Sequence, residues 1–415
     1  MRDRFNNRAV VDRRAFVKAM VATPLLGRVE LGQTRARAPE HIVVVGAGAF
    51  GGWTALALLR AGARVTLLDA WGAGHARASS GGETRVIRAV YNGEPVYTRL
   101  VTRALTLWRE NERRWQRQVF FETGALWMFA GDDGFARQSV TPMKSAGLAL
   151  DELTPAEAQR RYPQMSFRGV RSVFFEPRAG YLLARQACEL VREAFVREGG
   201  TYRVASVRPV GASGARLTAV TVSDGSRLEA DRFVFASGPW LPQLFPDVVG
   251  RRIVATRQEV FFFGVPAGET KYERTPAWVH MGDRVTYGVP GNERRGLKIA
   301  DDTAGAEVNP TSLDRTPSAE GLKGARTILA ERFPALASAP LLEARVCQYE
   351  ASTDGNFLVD RHPAIENAWI VGGGSGHGFK MGPALGEHVA ALVLGRDSPY
   401  PLFTYRRLRP RPLPS

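Results

Sequence analysis

Two glycine-rich stretches, at 46–52 and 372–378, are the parts of this chain best built to hold an anion. The first, GAGAFGG, places Gly46, Gly48 and Gly51 in the spacing G-x-G-x-x-G. Glycines so spaced allow a tight turn, bring main-chain amides close to a pyrophosphate, and let a helix pack tightly on a strand. Asp69 stands about 20 residues further on, the separation at which a carboxylate bonds ribose hydroxyls. The second stretch, GGGSGHG, contains Gly376 and Gly378 and runs through Phe379 into Lys380. There a helix N-terminus and a cation are offered to the same negative charge. A third candidate is Cys347 in ARVCQYE, one of two cysteines in 415 residues. Taken alone it reads as a small buried hydrophobe, because buried thiols are usually inert.

These groups need elements to position them. HIVVV (41–45) is a β-branched run suited to a strand buried on both faces. The first glycine loop follows it, then the apolar helix WTALALLRAG, which ends near Gly62, then the strand RVTLL (64–68) with Asp69 at its end. In this βαβ setting the glycine pattern predicts dinucleotide binding. A second strand–glycine–helix unit closes the chain, with a strand at 368–371 and Pro383 at the start of a helix. ADRFVFASGPW (230–240) adds a strand that ends in a turn of small residues. A dinucleotide fold built from both ends of one chain, with a large insertion between, suits FAD better than NAD. A helix N-terminus at the second loop would face the negative charge that develops on a reduced flavin. In the insertion, the strand-like runs 253–265, 284–290 and 296–300 predict an antiparallel sheet, and 316–334 reads as a helix from about Ala319.

Composition removes several alternatives. With 44% hydrophobic and 23% charged residues the chain reads as an ordinary globular protein. No run approaches the roughly 18 apolar residues of a membrane span. The formal charge of +15 is concentrated at the ends, and no basic stripe with interleaved aromatics accompanies it, which argues against a nucleic-acid partner. Cys188 and Cys347 cannot make a disulfide framework, and the six histidines lack ligand spacing, so no metal is expected. Cys188 lies in a helical pattern and reads as a core residue. At the N-terminus Arg13 and Arg14 precede a short apolar run, Ala19–Gly27, and the segment Ala36-Arg37-Ala38. This resembles a bacterial twin-arginine export signal, with a cytoplasmic protein as the alternative.

Several motifs occur in a fixed order: GGETRVIR (81–88), FEPRAG (175–180), ASGPW (236–240), TYGVPGNERRGLK (286–298), CQY (347–349) and GSGHGFK (374–380). Together they resemble the monomeric sarcosine oxidase and N-methyl-amino-acid oxidase family, within the D-amino-acid-oxidase-like FAD-dependent oxidoreductases. The resemblance implies an α/β fold (α+β overall): a Rossmann-like FAD-binding domain closed by N- and C-terminal segments, plus an antiparallel-sheet substrate domain. The expected division is an N-terminal extension at 1–38, FAD-binding segments at 39–120, 180–250 and 345–403, substrate segments at 121–179 and 251–344, and a basic tail at 404–415.

The resemblance also implies roles. Cys347 matches the cysteine that bonds the flavin covalently, a step that needs a thiolate. Arg88 and Lys380 match the two cations that hold the substrate carboxylate, one as a fork and one as a point charge. Arg85 matches an arginine beside the flavin; three residues from Arg88, it shares a face with it in a helix but not in a strand. Lys298 matches the lysine that promotes oxygen reduction, where a fixed positive charge stabilises the developing anion. By residue type alone it would be an outward-facing strand lysine between Leu297 and Ile299. Tyr287 and Tyr349 match tyrosines of the substrate pocket.

Two positions depart from the family pattern. Gly81 and Asp302 stand where sarcosine oxidase has histidines, so sarcosine itself is not expected as substrate. Asp302 would suit a cationic or larger side chain, and Trp278 and His280 are candidates for reshaping the same pocket, with a core role the equal alternative for Trp278. The implied activity is oxidation of the C–N bond of a secondary or N-methylated amino acid to an imine, by a monomer, with oxygen as acceptor and hydrogen peroxide as product. A dehydrogenase of the same fold that passes electrons to a quinone or carrier, and a non-catalytic FAD scaffold, are the alternatives.

Overall fold

The computed structural model describes residues 39–209 and 215–411. The export signal expected at the N-terminus lies outside the described residues. Five strands run parallel in the order Ala368–Gly372, Arg232–Phe235, His41–Val45, Arg64–Asp69 and Thr201–Val204. Leu358–Arg361 adds an antiparallel edge. All five residues of His41–Val45 are buried, as its β-branched composition requires. The helix Ala49–Arg60 leaves the first glycine loop, and the C-terminal helix Gly382–Val393 packs across it. Trp53 of the first helix fills the space over Gly382 and Gly386 of the second, where an added Cβ would lie 2.5 and 2.6 Å from it. The two chain ends thus close one dinucleotide fold.

The insertion forms an eight-stranded sheet. Its order is Leu341–Ser352, Ile253–Phe263, Leu297–Asp301, Val285–Val289, Ala277–Met281, Ala125–Phe129, Ser172–Glu176 and Asp151–Leu153. It departs from the expected antiparallel sheet at one pair. Ala277–Met281 and Ala125–Phe129 run parallel, where the two separate insertions of the chain meet. The helix Ala319–Arg332 covers one side of the sheet, with Phe333 beside Trp278 in a second apolar core. Thr84–Ile87, Gly180–Leu183 and Phe120–Phe121 form a small third sheet.

Two expected boundaries move. Leu341–Ser352 is one strand paired along its length with Ile253–Phe263, so 345 is not a domain edge and Cys347 and Tyr349 belong to the eight-stranded sheet. No Gly or Pro interrupts LLEARVCQYEAS, so nothing ends the strand sooner. The tail is part of the fold through residue 411: Leu408 is buried, Arg407 pairs with Asp354 and donates to the Asn356 carbonyl at 3.0 Å, and the Arg411 amide donates to the Arg251 carbonyl at 2.9 Å.

The tightest point of the first glycine loop is Gly51, where a Cβ would fall 1.9 Å from the Gly46 carbonyl oxygen. Because that neighbour is backbone, Gly51→Ala must push the helix off the loop. We expect a loss of about 2–3 kcal/mol, read as a lower urea midpoint. An unchanged midpoint would mean that the helix is free to shift.

Candidate active site

A cleft of about 220 Å³ opens where the parallel strands end, and both glycine loops line it. Gly46 adopts φ +103°, a left-handed conformation that glycine takes without strain, and a Cβ there would lie 2.3 Å from the Ala236 carbonyl oxygen. Asp69 lines the cleft and accepts the amides of Ala47 (2.8 Å), Trp71 (3.0 Å) and Gly72 (2.9 Å). Its carboxylate therefore fixes the loop after the second strand as well as facing the cleft. Four buried polar atoms of the lining have no partner: His75 Nδ1, Ser79 Oγ, Ser237 Oγ and Glu350 Oε2. Buried polar groups normally find partners, and the hydroxyls, phosphates and ring nitrogens of a dinucleotide would supply them. The residues present fit such a cofactor.

Arg85 links the cleft to a second cavity of about 180 Å³. Its guanidinium donates to the Thr84 carbonyl (2.7 Å) and the Ser79 carbonyl (2.5 Å), and lies 3.4 Å from Cys347 Sγ. Lys298 lines that second cavity and donates to the same Thr84 carbonyl at 3.2 Å, with its ammonium 5.2 Å from the Tyr287 ring. It is 1% exposed, which excludes the outward-facing reading. Burial, then the Arg85 charge, push its pKa down to about 7. Cys188, by contrast, is buried within its helix, and burial pushes its thiol up to about 12.

Arg85 and Arg88 diverge, as residues three apart do around a strand; Arg85 lies in Thr84–Ile87 and Arg88 just follows it. Arg88 lies 4.3 Å from the Tyr91 ring and 5.0 Å from that of Trp127. Lys380 Nζ donates to the Tyr91 hydroxyl (2.9 Å) and the His377 carbonyl (2.7 Å). Tyr91 therefore brings the two cations together. Burial and Arg88 lower the Lys380 pKa well below its ordinary value. Glu176 completes the group; its Oε1 accepts the Ala89 amide at 2.5 Å and its Oε2 has no partner. Burial raises its pKa to about 7, against the Ala89 amide and the Arg88 charge.

Tyr349 donates to Asp302 Oδ1 at 2.7 Å, and its ring packs over Gly376, where a Cβ would come within 2.7 Å. Asp302 is open to solvent on one side, yet enough protein surrounds it to raise its pKa by desolvation, against Tyr349, Arg88, Lys380 and Lys298. Gly378 is equally confined, since a Cβ there would lie 2.5 Å from the Phe50 ring. Gly81 has no room for any side chain, since a Cβ would fall 1.9 Å from the His75 carbonyl oxygen. Trp278 and His280 do not join this group. Trp278 is wholly buried in the second core, and His280 Nε2 lies 3.2 Å from Arg332. Alternation along their strand turns both away from the cleft side. Sequence reasoning missed Tyr91, Glu176 and Glu350. Glu176 lay inside the FEPRAG motif and Glu350 directly after CQY, whereas nothing marked Tyr91.

A parallel sheet closed by two glycine loops, with a cleft of unpartnered polar atoms beside buried cations, defines a dinucleotide-dependent redox fold. The chain belongs to the DAO family, FAD dependent oxidoreductase, whose model matches residues 41–392. It is 28% identical to monomeric sarcosine oxidase of Bacillus sp. (strain B-0618), over 89% of this chain and 96% of that protein. It is 27% identical to N-methyl-L-tryptophan oxidase of Salmonella dublin, over 89% and 98%. Among solved structures, L-proline dehydrogenase from P. horikoshii matches with TM-score 0.78 at 21% identity, over 89% of this chain and 97% of that one. Amadoriase I from Aspergillus fumigatus matches with TM-score 0.76 at 21% identity, over 89% and 90%.

Glu176 makes stability depend on pH. Its folded pKa, about 7, lies above the ordinary 4.5, so its contribution is full below 4.5 and is lost as pH rises to about 7. The amount is about 3 kcal/mol. Glu176→Gln should remove that share of the slope in urea midpoints measured from pH 4.5 to 8. An unaltered slope would mean that Glu176 is ionised in the folded chain.

Proposed function

We propose that this chain is an oxidase of secondary or N-methylated α-amino acids. It acts as a monomer, reduces oxygen to hydrogen peroxide, carries FAD bonded to Cys347, and reaches its site of action through a twin-arginine signal. The observation that carries the reading is the convergence of Arg88 and Lys380 on Tyr91. Two basic groups held together in a desolvated place, one with its pKa depressed by burial and then by the other, are short of an anion; a substrate carboxylate supplies it. The related proteins named above act, by their names, on sarcosine and N-methyl-L-tryptophan, both N-methyl amino acids.

When bound, FAD supplies a two-electron acceptor for a hydride equivalent from the carbon beside the amine, leaving an imine that water hydrolyses. The chain's own residues do the rest. Arg88 grips the carboxylate as a fork and Lys380 adds a point charge. Tyr287 and Tyr349 wall the amine, which must be unprotonated to give up a hydride, and Asp302, tied to Tyr349, suits a cationic or larger side chain of the substrate. Lys298 holds a proton at Nζ near neutrality, so it offers positive charge where an anion forms from oxygen. Arg85 stands beside the Cys347 sulfur, which must be a thiolate to bond a cofactor.

Mixing the purified holoprotein anaerobically with a panel of N-methyl and cyclic amino acids should bleach the flavin, and admitting air should restore the colour with release of peroxide. Lys298→Met should bleach at a similar rate but recover about 100-fold more slowly. Recovery in the wild type should slow as pH rises through about 7, where Lys298 loses its charge. No bleaching by any member would overturn the oxidase reading. Bleaching without reoxidation by air would make the chain a dehydrogenase.

Acid precipitation tests the bond to Cys347. Yellow colour should stay in the wild-type pellet and pass to the supernatant in Cys347→Ser. Colour in the wild-type supernatant would leave Cys347 an ordinary thiol.

A further inference from the structure

Glu350 is a buried acid at the cofactor cleft with no assigned role. It is 7% exposed and lies near the end of Leu341–Ser352, three residues beyond Cys347. Two glycine turns from different parts of the chain close around its carboxyl. Oε2 is 3.1 Å from where a Cβ on Gly372 would stand and 3.8 Å from that on Gly238. Oε1 accepts the Gly374 amide at 3.3 Å, and the Glu350 carbonyl accepts the Ser375 amide at 2.9 Å. Oε2 itself has no partner.

We propose that Glu350 holds the cofactor as a neutral acid, with Oε2 carrying a proton that it donates in a hydrogen bond to an oxygen of FAD. The inference rests on FAD as cofactor and not on the proposed reaction. An ionised carboxylate here would be an acceptor facing a dinucleotide whose phosphates are themselves anionic. Such a charge is tolerated in a dry site only when a cation pairs with it. No cation does so among the described residues. Ala255 stands opposite on the adjoining strand, and the turns packed on the carboxyl contribute Gly238, Gly372 and Gly374. Protonation removes the charge and converts the unpartnered acceptor into a donor, as a ligand rich in oxygen requires. Burial pushes the Glu350 pKa up to about 7, with only the Gly374 and Gly373 amides pulling the other way.

The test uses full-length protein with Cys347→Ser, so that FAD exchanges, and reads the FAD dissociation constant by fluorescence from pH 6 to 9. With Glu350 present, affinity should weaken as pH rises beyond the pKa, because the donor is lost. Glu350→Gln keeps a donor that cannot ionise, so its affinity should stay flat. Glu350→Leu should bind about 10-fold more weakly at pH 6, as loss of one hydrogen bond predicts. Identical pH profiles for Glu and Gln, or a Leu variant that binds as tightly as the parent at pH 6, would overturn the proposal. The infrared spectrum of the Cys347-intact holoprotein is an independent readout. Glu176 is a second protonated carboxyl at pH 6, so the readout is the difference spectrum: a C=O component present in the parent should be missing from Glu350→Gln, and a difference spectrum with no such component would equally overturn the assignment. A chain that binds no FAD in any form would instead count against the cofactor itself.

Discussion

Arg85 stands where the loop from the parallel sheet meets the edge strand of the eight-stranded sheet, and its guanidinium ties the two together. It donates to main-chain carbonyls of Ser79 and Thr84 and reaches the sulfur of Cys347, 262 residues further along the chain. Lys298, from a third segment, joins by sharing the Thr84 carbonyl. A planar fork with several donors can make all these contacts at once, whereas an ammonium, a point charge, has no such fixed geometry. The cleft, the second cavity and the cations around them are placed relative to one another by this junction.

Around it the protein gathers more positive than negative charge in a place poorly reached by water. Arg85 keeps its charge, since a guanidinium does not deprotonate under protein conditions. The lysines yield instead. Lys298 and Lys380 both fall below their ordinary pKa, each depressed first by burial and then by its neighbouring arginine. Two of the buried acids move in the opposite sense; Glu176 and Glu350 are both pushed to about 7. Desolvation alone accounts for both directions, because it penalises the charged form of either kind of group. The site is thus poised near neutrality, where an entering anion and a departing proton each change which groups are charged.

Much of this was legible in the chain. The β-branched run before Gly46 and the apolar helix after it specify a buried parallel strand and its crossover, and that local pattern survives folding unchanged. The second glycine loop, ending in Lys380, was equally local. What could not be read were contacts made by pairing across long separations. Nothing near Trp278 says that its strand pairs with Ala125–Phe129, so that its ring enters a core and not the pocket. Nothing near Tyr91 says that it will sit between Arg88 and Lys380. The boundary at 345 failed for a related reason. Composition marks where a strand can break, but not which of two sheets an unbroken strand will join.

That strand shows why pairing matters so much. Cys347, Gln348, Tyr349 and Glu350 are consecutive, and each does something different. Cys347 meets Arg85, Gln348 donates to the Arg77 carbonyl at 2.7 Å, Tyr349 binds Asp302, and Glu350 lies between two glycine turns. Alternation separates them: Gln348 and Glu350 are buried, while Cys347 and Tyr349 are only partly so. A slip of one residue in the strand would exchange the two sets and put Tyr349 or Ala351 where the acid belongs. The register is held by the long antiparallel pairing with Ile253–Phe263, which sets Cys347 opposite Gln258 and Tyr349 opposite Thr256. The irregularity in that pairing falls between Phe262 and Phe263, at the end away from these four residues. The sheet absorbs its misfit where no chemistry is done and keeps its register where four adjacent side chains must each face a different partner.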